Sequence, residues 1–188
     1  MSTEIRFHYE LNQGQFAALT AKLQELAGSK ARTYIARALN KTATSARVKL
    51  ANKARASYTV KSGGFKKDMQ IDKASAGNLT AWIKSQGNTL DVPKFKWSRP
   101  KSGVKIDVVK SGLKPIGKYG NKGFYGLGKL NGQVYVRKGK DRLPVEKLKS
   151  KSVPFMLGSE NRVWGPVRSQ IESDLQKYMR QQIAQLLG

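Results

Sequence analysis

Small and apolar side chains return every three or four residues along 29–57, at Ala31, Ile35, Ala38, Leu39, Thr42, Ala46, Leu50 and Ala54, with no glycine or proline among them. That spacing puts them on one face of a helix capped by Ser29 and extending about 40 Å, at about 1.5 Å per residue. Arg37, Lys41, Arg47, Lys49, Lys53 and Arg55 take up much of the remaining surface, which reads as a solvated face. A stripe so rich in alanine calls for the close approach of another helix or subunit. A shorter stripe, Phe16, Leu19, Leu23 and Leu26, predicts a helix that Asn12 caps and Ala27-Gly28 ends. A third helix is predicted over 163–187, with Trp164, Val167, Ile171, Leu175, Tyr178, Ile183 and Leu186 on its apolar face. Pro166 falls either in its first turn or at a kink.

Between the long helices the period shifts toward two, with Gly, Ser and Asn as punctuation. Strands are predicted over 69–74, 79–85, 104–109, 124–129 and 133–138, the last two as a hairpin about Leu130-Asn131-Gly132. Residues 4–10 alternate as well, as a short strand or an arm would. Segments 88–100 and 110–122 read as loops, the second Gly/Lys-rich and mobile. The sum is an α+β fold in which a long helix of the N-terminal half and a C-terminal helix pack on a central antiparallel β-sheet. One domain is expected over 1–188. Its parts are an arm and helix (1–28), a long basic helix (29–57), a β-rich region with loops (62–157) and the C-terminal helix (160–188).

The order of parts along 123–157 is distinctive. A Gly/aromatic strand with Phe124, Tyr125 and Leu127 precedes Asn131-Gly132 and the alternating strand Gln133-Val134-Tyr135-Val136-Arg137. A basic turn, Arg142-Leu143-Pro144-Val145-Glu146-Lys147-Leu148 and Ser152-Val153-Pro154 follow. In this the chain resembles the minor tail protein Z family of long-tailed phages, the tail-completion proteins. That family likewise joins a strand hairpin, an Arg-x-Pro-Val/Ile-x-x-Leu element and a Ser-Val-Pro element to a C-terminal helix. Upstream, Ala36-Arg37-Ala38-Leu39-Asn40-Lys41-Thr42-Ala43 and Ala54-Arg55-Ala56-Ser57-Tyr58-Thr59-Val60-Lys61 are similar to the family's first half, a long basic helix ending in a short Thr/Val-Lys segment. Residues 62–122 gain little from the resemblance. It implies a structural, non-enzymatic virion protein of the tail or neck, made in the host cytoplasm and placed at the head-proximal end of the tail. Its implied partners are the tail terminator, tube and connector proteins, in a homo-oligomeric ring with hexameric symmetry as the model, around a channel that DNA traverses.

Composition sharpens this. At 188 residues the chain is long enough to bury a core, and 39% of it is apolar. It has no cysteine, which excludes a disulfide framework, thiolate zinc sites and a cysteine nucleophile. No apolar run approaches the roughly 18 residues that span a bilayer, and the N-terminus lacks the apolar stretch of a signal peptide, so no membrane partner is expected. The net charge is +24, and residues 31–150 hold 28 Lys/Arg against 6 Asp/Glu. A field of that sign attracts polyanions, either nucleic acid or an acidic protein surface.

Catalytic chemistry has few candidates. His8, the only histidine, has no nearby triad partner, and the carboxylates are scattered. Asp68 and Asp72 are four apart, the spacing of one helix face, but lysines surround them and charge pairing is the plainer role. Glu172 and Asp174 point to different sides of their helix. The glycines at 117–128 lack the Gly-Lys-Ser/Thr ending of a phosphate loop. No cofactor or metal site is expected. The segment 94–101 interleaves Phe95 and Trp97 with cations, as a stacking platform for single strands does, or as an interface patch does. Lys94, Lys96, Arg99, Lys101, Lys118, Lys122, Lys138 and Lys140 are the candidates to face DNA. Leu143, Pro144, Val145, Leu148, Val153, Pro154, Phe155 and Trp164 are the interface candidates, with closure of the chain's own core as the alternative. A sequence-independent nucleic-acid-binding protein explains the charge without any phage context. A nuclease would need an acid or histidine cluster that the sequence does not supply.

Overall fold

The computed structural model describes the backbone of residues 3–7, 13–61 and 64–187, and the side chains of 30–61 and 65–186. In chain order come strand β1 (Thr3–Phe7), helix α1 (Gln13–Ser57), the short helix α2 (Gly64–Lys67), and strands β2 (Met69–Asp72), β3 (Trp82–Gly87), β4 (Thr89–Asp91), β5 (Lys96–Ser98) and β6 (Lys105–Asp107). The two-residue strands β7 (Lys114–Pro115), β8 (Gly117–Lys118) and β9 (Asn121–Lys122) follow, then β10 (Phe124–Gly126), β11 (Gln133–Arg137), β12 (Val145–Lys147) and β13 (Lys149–Ser152). Helices α3 (Val153–Leu157) and α4 (Gly165–Leu187) end the chain.

Helix α1 is 45 residues long and passes through Ala27-Gly28, so the two helices expected from the sequence are one. An interior glycine costs about 1 kcal/mol relative to alanine. Stopping there would strand four terminal carbonyls, which is the larger penalty unless they are capped. Asn12, His8 and the side chains of Phe16, Leu19, Leu23 and Leu26 lie outside the described residues. The alanine stripe behaves as its period predicts: Ala31, Ile35, Ala38, Thr42, Ala46, Leu50 and Ala54 are all buried and Leu39 is half-buried.

The partner that the stripe required is α4 of the same chain. Ile35 and Ala38 pack with Leu175 and Met179, while Ser45 and Lys49 meet Asp174 and Ser57 reaches the Arg162 carbonyl, so the helices run antiparallel. Pro166 lies in the first turn of α4, where its missing N–H costs nothing. A wider π-type turn, Glu160–Trp164, leads into it.

The strands form five small antiparallel sheets instead of the single central sheet expected. Their orders are β1-β3-β2, β5-β6-β7, β8-β9, β10-β11-β12 and β13-β4. Most of these strands span only two to five residues, too short for one sheet to grow. The expected hairpin is present, pairing Phe124 with Tyr135, and Asn131 and Gly132 supply positive φ of 50° and 64° in its turn. Neither expected loop is a plain loop. Segment 88–100 holds β4, a 3₁₀ turn (Val92–Lys94) and β5. Segment 110–122 holds β7 and the β8–β9 hairpin, whose two central residues, Tyr119 and Gly120, both have positive φ as a type I′ turn demands.

Strands and helices share one core. Val92, Phe95, Val104, Ile106, Val134, Val136 and Leu148 join Leu50 and Ala54 of α1, Met156 and Leu157 of α3, and Val163, Val167 and Ile171 from the C-terminal helical segment. Gly123 closes it between sheets: a Cβ there would stand 2.9 Å from the Ile116 carbonyl oxygen and 3.1 Å from Leu148.

Candidate interface surfaces

All eight cations proposed to face DNA are exposed. Most gather about the β8–β9 hairpin. Lys118 Nζ donates to Glu146 Oε1 at 2.6 Å, the Tyr119 hydroxyl donates to Oε2 at 2.7 Å, and Lys138 Nζ stands 4.0 Å from Oε2. The hydrogen bond from Lys118, then that from Tyr119, hold the Glu146 carboxyl below its ordinary value. Asn121 Nδ2 donates to the carbonyls of Arg137 and Gly139, both at 3.0 Å, which fastens the hairpin to the end of β11 beside Lys138 and Lys140. On the other flank, a Cβ at Gly103 would meet Lys122 Cβ at 3.2 Å, so the turn carrying Lys101 abuts Lys122. The Arg99 guanidinium lies 5.2 Å over the Tyr125 ring.

Lys94 and Lys96 belong elsewhere, beside the chain leaving α1. The Lys61 N–H donates to the Lys94 carbonyl at 2.9 Å and the Lys96 N–H donates to Thr59 Oγ1 at 3.2 Å. Between them Phe95 is wholly buried, and Trp97 stacks on Tyr125 with centroids 5.0 Å apart. Segment 94–101 is therefore not an open stacking platform, nor does Phe95 anchor a partner. Its aromatics serve the core and only its cations face outward.

The interface candidates divide. Leu148, Val153 and Pro154 are core residues, and Val145 and Trp164 are half-buried. Pro154 is helical: Ser152 caps α3 by accepting from the Phe155 N–H at 3.3 Å, and Pro154 sits in that helix's first turn. Leu143 and Phe155 remain as apolar side chains offered to solvent, 70% and 50% exposed, with exposed Pro144 after a cis bond from Leu143. The Lys151 ammonium lies 4.6 Å over the Phe155 ring.

Several acids are held in ion pairs. Asp68 is in the turn after α2 and Asp72 on β2, so they do not share a helix face; Asp72 pairs with Lys84. Glu172 pairs with Arg168 one turn away at 3.4 Å, while Asp174 turns inward. There Lys49 stands at 2.6 Å and Ser45 donates at 2.5 Å. Burial pushes the Asp174 carboxyl up, but these hydrogen bonds from Lys49 and Ser45 more than offset it and leave its pKa below the ordinary value. Among the described residues no group of three or more His, Cys, Asp or Glu could hold a metal ion, and no helix is long and apolar enough to cross a membrane.

One surface was not anticipated. An open groove of about 760 Å³ runs between α1, α2 and β2, walled by Arg47, Arg55, Lys66, Lys67, Gln70 and Asp72 over a floor of Met69 and Ile71. Its cations come from a helix face read as solvated and from a Lys-Lys pair read as balancing Asp68. The signal available in the sequence was that pair standing just before a strand, within folding distance of the end of α1. Against known proteins, the model of the family described as prophage minor tail protein Z matches residues 17–188. No curated protein and no solved structure gives a significant match.

Proposed function

We propose, from the premise that the chain belongs to the prophage minor tail protein Z family, that it completes the tail of a long-tailed phage at the head-proximal end. Membership makes it a structural virion component of a phage tail with other tail proteins as partners. The finer reading is that copies form a ring of six-fold symmetry, joined by apolar anchors such as Leu143 and Phe155. The cations about the β8–β9 hairpin then face DNA in the channel, and the role is one of shape and field without catalysis. The observation that carries this is the extent of the match, which takes in α4, every strand after β1 and nearly all of α1.

Complementation of a phage lacking this gene is the test. Leu143→Ser with Phe155→Ser should leave a folded monomer, since both side chains are exposed, yet reduce plaque formation and yield unfinished tails. His8→Ala and Asp68→Asn with Asp72→Asn should complement normally. Normal tails with total loss of infectivity in the aspartate variant would contradict a purely structural role. Full infectivity of the Leu143/Phe155 variant would remove those anchors.

A further inference from the structure

The groove between α1, α2 and β2 is a basic surface whose cations no acid among the described residues answers. Asp72, the carboxylate on its wall, is already paired with Lys84. Among the described residues, Arg47, Arg55, Lys66 and Lys67 have no ion-pair partner, in contrast to Lys118 and Lys138, which share Glu146. Arg47 Nε is shielded from solvent and unmatched by any acceptor. An arginine nitrogen left dry and unpaired costs free energy that an oxyanion brought against its guanidinium would return. The backbone end of α1 does not interfere, because the Arg55 carbonyl accepts from Lys110 Nζ at 2.6 Å.

We propose that this groove holds the phosphodiester backbone of a nucleic acid, which deepens the DNA-facing part of the reading above and rests on it for the biological setting. Four cationic side chains supply donors against two acceptor-bearing side chains on the lining, Gln70 and the Asp72 already paired with Lys84. A phosphodiester strand presents acceptors and charge along its length, so it leaves nothing unmatched in such a wall. An acidic peptide carries backbone N–H groups and apolar side chains besides its carboxylates, and these find few partners there. Contacts from arginine and lysine to phosphate carry no sequence information, so binding through them is independent of sequence and dominated by counterion release.

The experiment uses the full-length protein and a short fluorescent duplex, with anisotropy followed as salt is raised. Arg55→Glu/Lys66→Glu/Lys67→Glu should lose at least about tenfold in affinity, and the slope of log affinity against log salt should flatten by about 2 to 3, at about 0.9 for each phosphate contact removed. All three side chains are exposed and, among the described residues, none forms an ion pair, Arg55 meeting only Asn52 Oδ1 at 3.5 Å, so thermal melting should match wild type. Lys66→Gln/Lys67→Gln, which reverses no charge, should flatten the slope by about 2 if each lysine contacts a phosphate. The comparison variant is Lys118→Glu/Lys122→Glu/Lys138→Glu. If only that variant loses affinity, the groove assignment falls while the hairpin face keeps its place. No binding by wild type at low salt overturns the proposal. So does displacement of duplex by polyglutamate at equal charge concentration, which would indicate an acidic protein partner, or by inorganic phosphate at equal phosphate concentration, which would indicate a site for a free anion. Tail assembly is scored separately in complementation, so failure to bind DNA leaves the structural tail role standing.

Discussion

The α1–α4 pair and the β-rich middle solve the same problem by opposite means. The helices meet along alanines, so their backbones come close and few large side chains are needed, and the charges at the seam are matched: Lys49 to Asp174, with Ser45 donating to the same carboxylate. The middle has no long element. Its short sheets of two or three strands send side chains such as Met69, Ile83, Ile106, Val134 and Val136 into a shared core, and most of its cations are left facing solvent. Regular period gives a seam whose charges are matched; short irregular pieces, together with the outer face of α1 at Arg47 and Arg55, leave charge available to a partner.

Breaking the comparison is easiest at Phe95. If the sheets hang on the helices through a common core, Phe95→Ala should destabilise the whole chain by about 3–5 kcal/mol in denaturant unfolding, with a single transition. A separate early transition for the middle would show that the two regions fold apart. In the helical pair the corresponding fault is excess volume. Ala38 is wholly buried against Leu175 and Met179, so Ala38→Leu should cost about 1–3 kcal/mol by forcing the seam open. A loss as large as that at Phe95 would mean that the alanine contact, and not the aromatic anchor, dominates stability.

The same contrast governs what the sequence revealed. The alanine stripe, its neighbour on 163–187 and the Asn131-Gly132 hairpin were legible because their period or turn chemistry is local. Elements of two or three residues have no period, so β4, β5, β8 and β9 were read as loops. Phe95 and Trp97 illustrate the cost: lodged among lysines they looked like a surface patch, and only the tertiary contacts of α1 and β10 reveal them as packing groups. Gly28 was read as a stop because propensity is local, while continuation of α1 is decided by the length of the whole helix. The groove was hidden for a related reason, since Arg47 and Lys66 meet only after the chain turns back past the end of α1. Leu148 and Val153 fell between readings, apolar in a segment without period, and burial settles them as core.

A smaller effect is expected where the helical pair uses charge. Asp174→Asn removes the carboxylate that Lys49 and Ser45 address and should cost about 1–2 kcal/mol near neutral pH, discounted for partial exposure. Because this carboxyl's pKa is lowered in the folded chain, its contribution is fully present above the ordinary carboxylate value, about 3.9, and is lost as pH falls through the folded value below it. Melting curves of wild type and Asp174→Asn should therefore differ by a constant amount from about pH 5 to 8 and converge in stronger acid. Convergence on raising the pH instead would reverse the sign and rule out this pairing as the cause.

The smallest expected effect on stability falls at Glu146, and it sharpens the comparison most. Glu146 is the carboxylate that Lys118 and Lys138 share, and both lysines are about half exposed, so Glu146→Gln should leave the melting temperature unchanged within error. Its consequence belongs to binding. With the carboxylate gone, Lys118 and Lys138 are released, and if the hairpin faces DNA each can neutralise a phosphate. Affinity for duplex should then rise and the salt slope steepen by about 0.9 for each lysine engaged. The groove cannot produce that gain, because Glu146 pairs with none of its cations. An unchanged slope in Glu146→Gln, beside a flattened one in the groove variant, would assign DNA to the α1–α2–β2 side alone and leave the hairpin face to a protein neighbour.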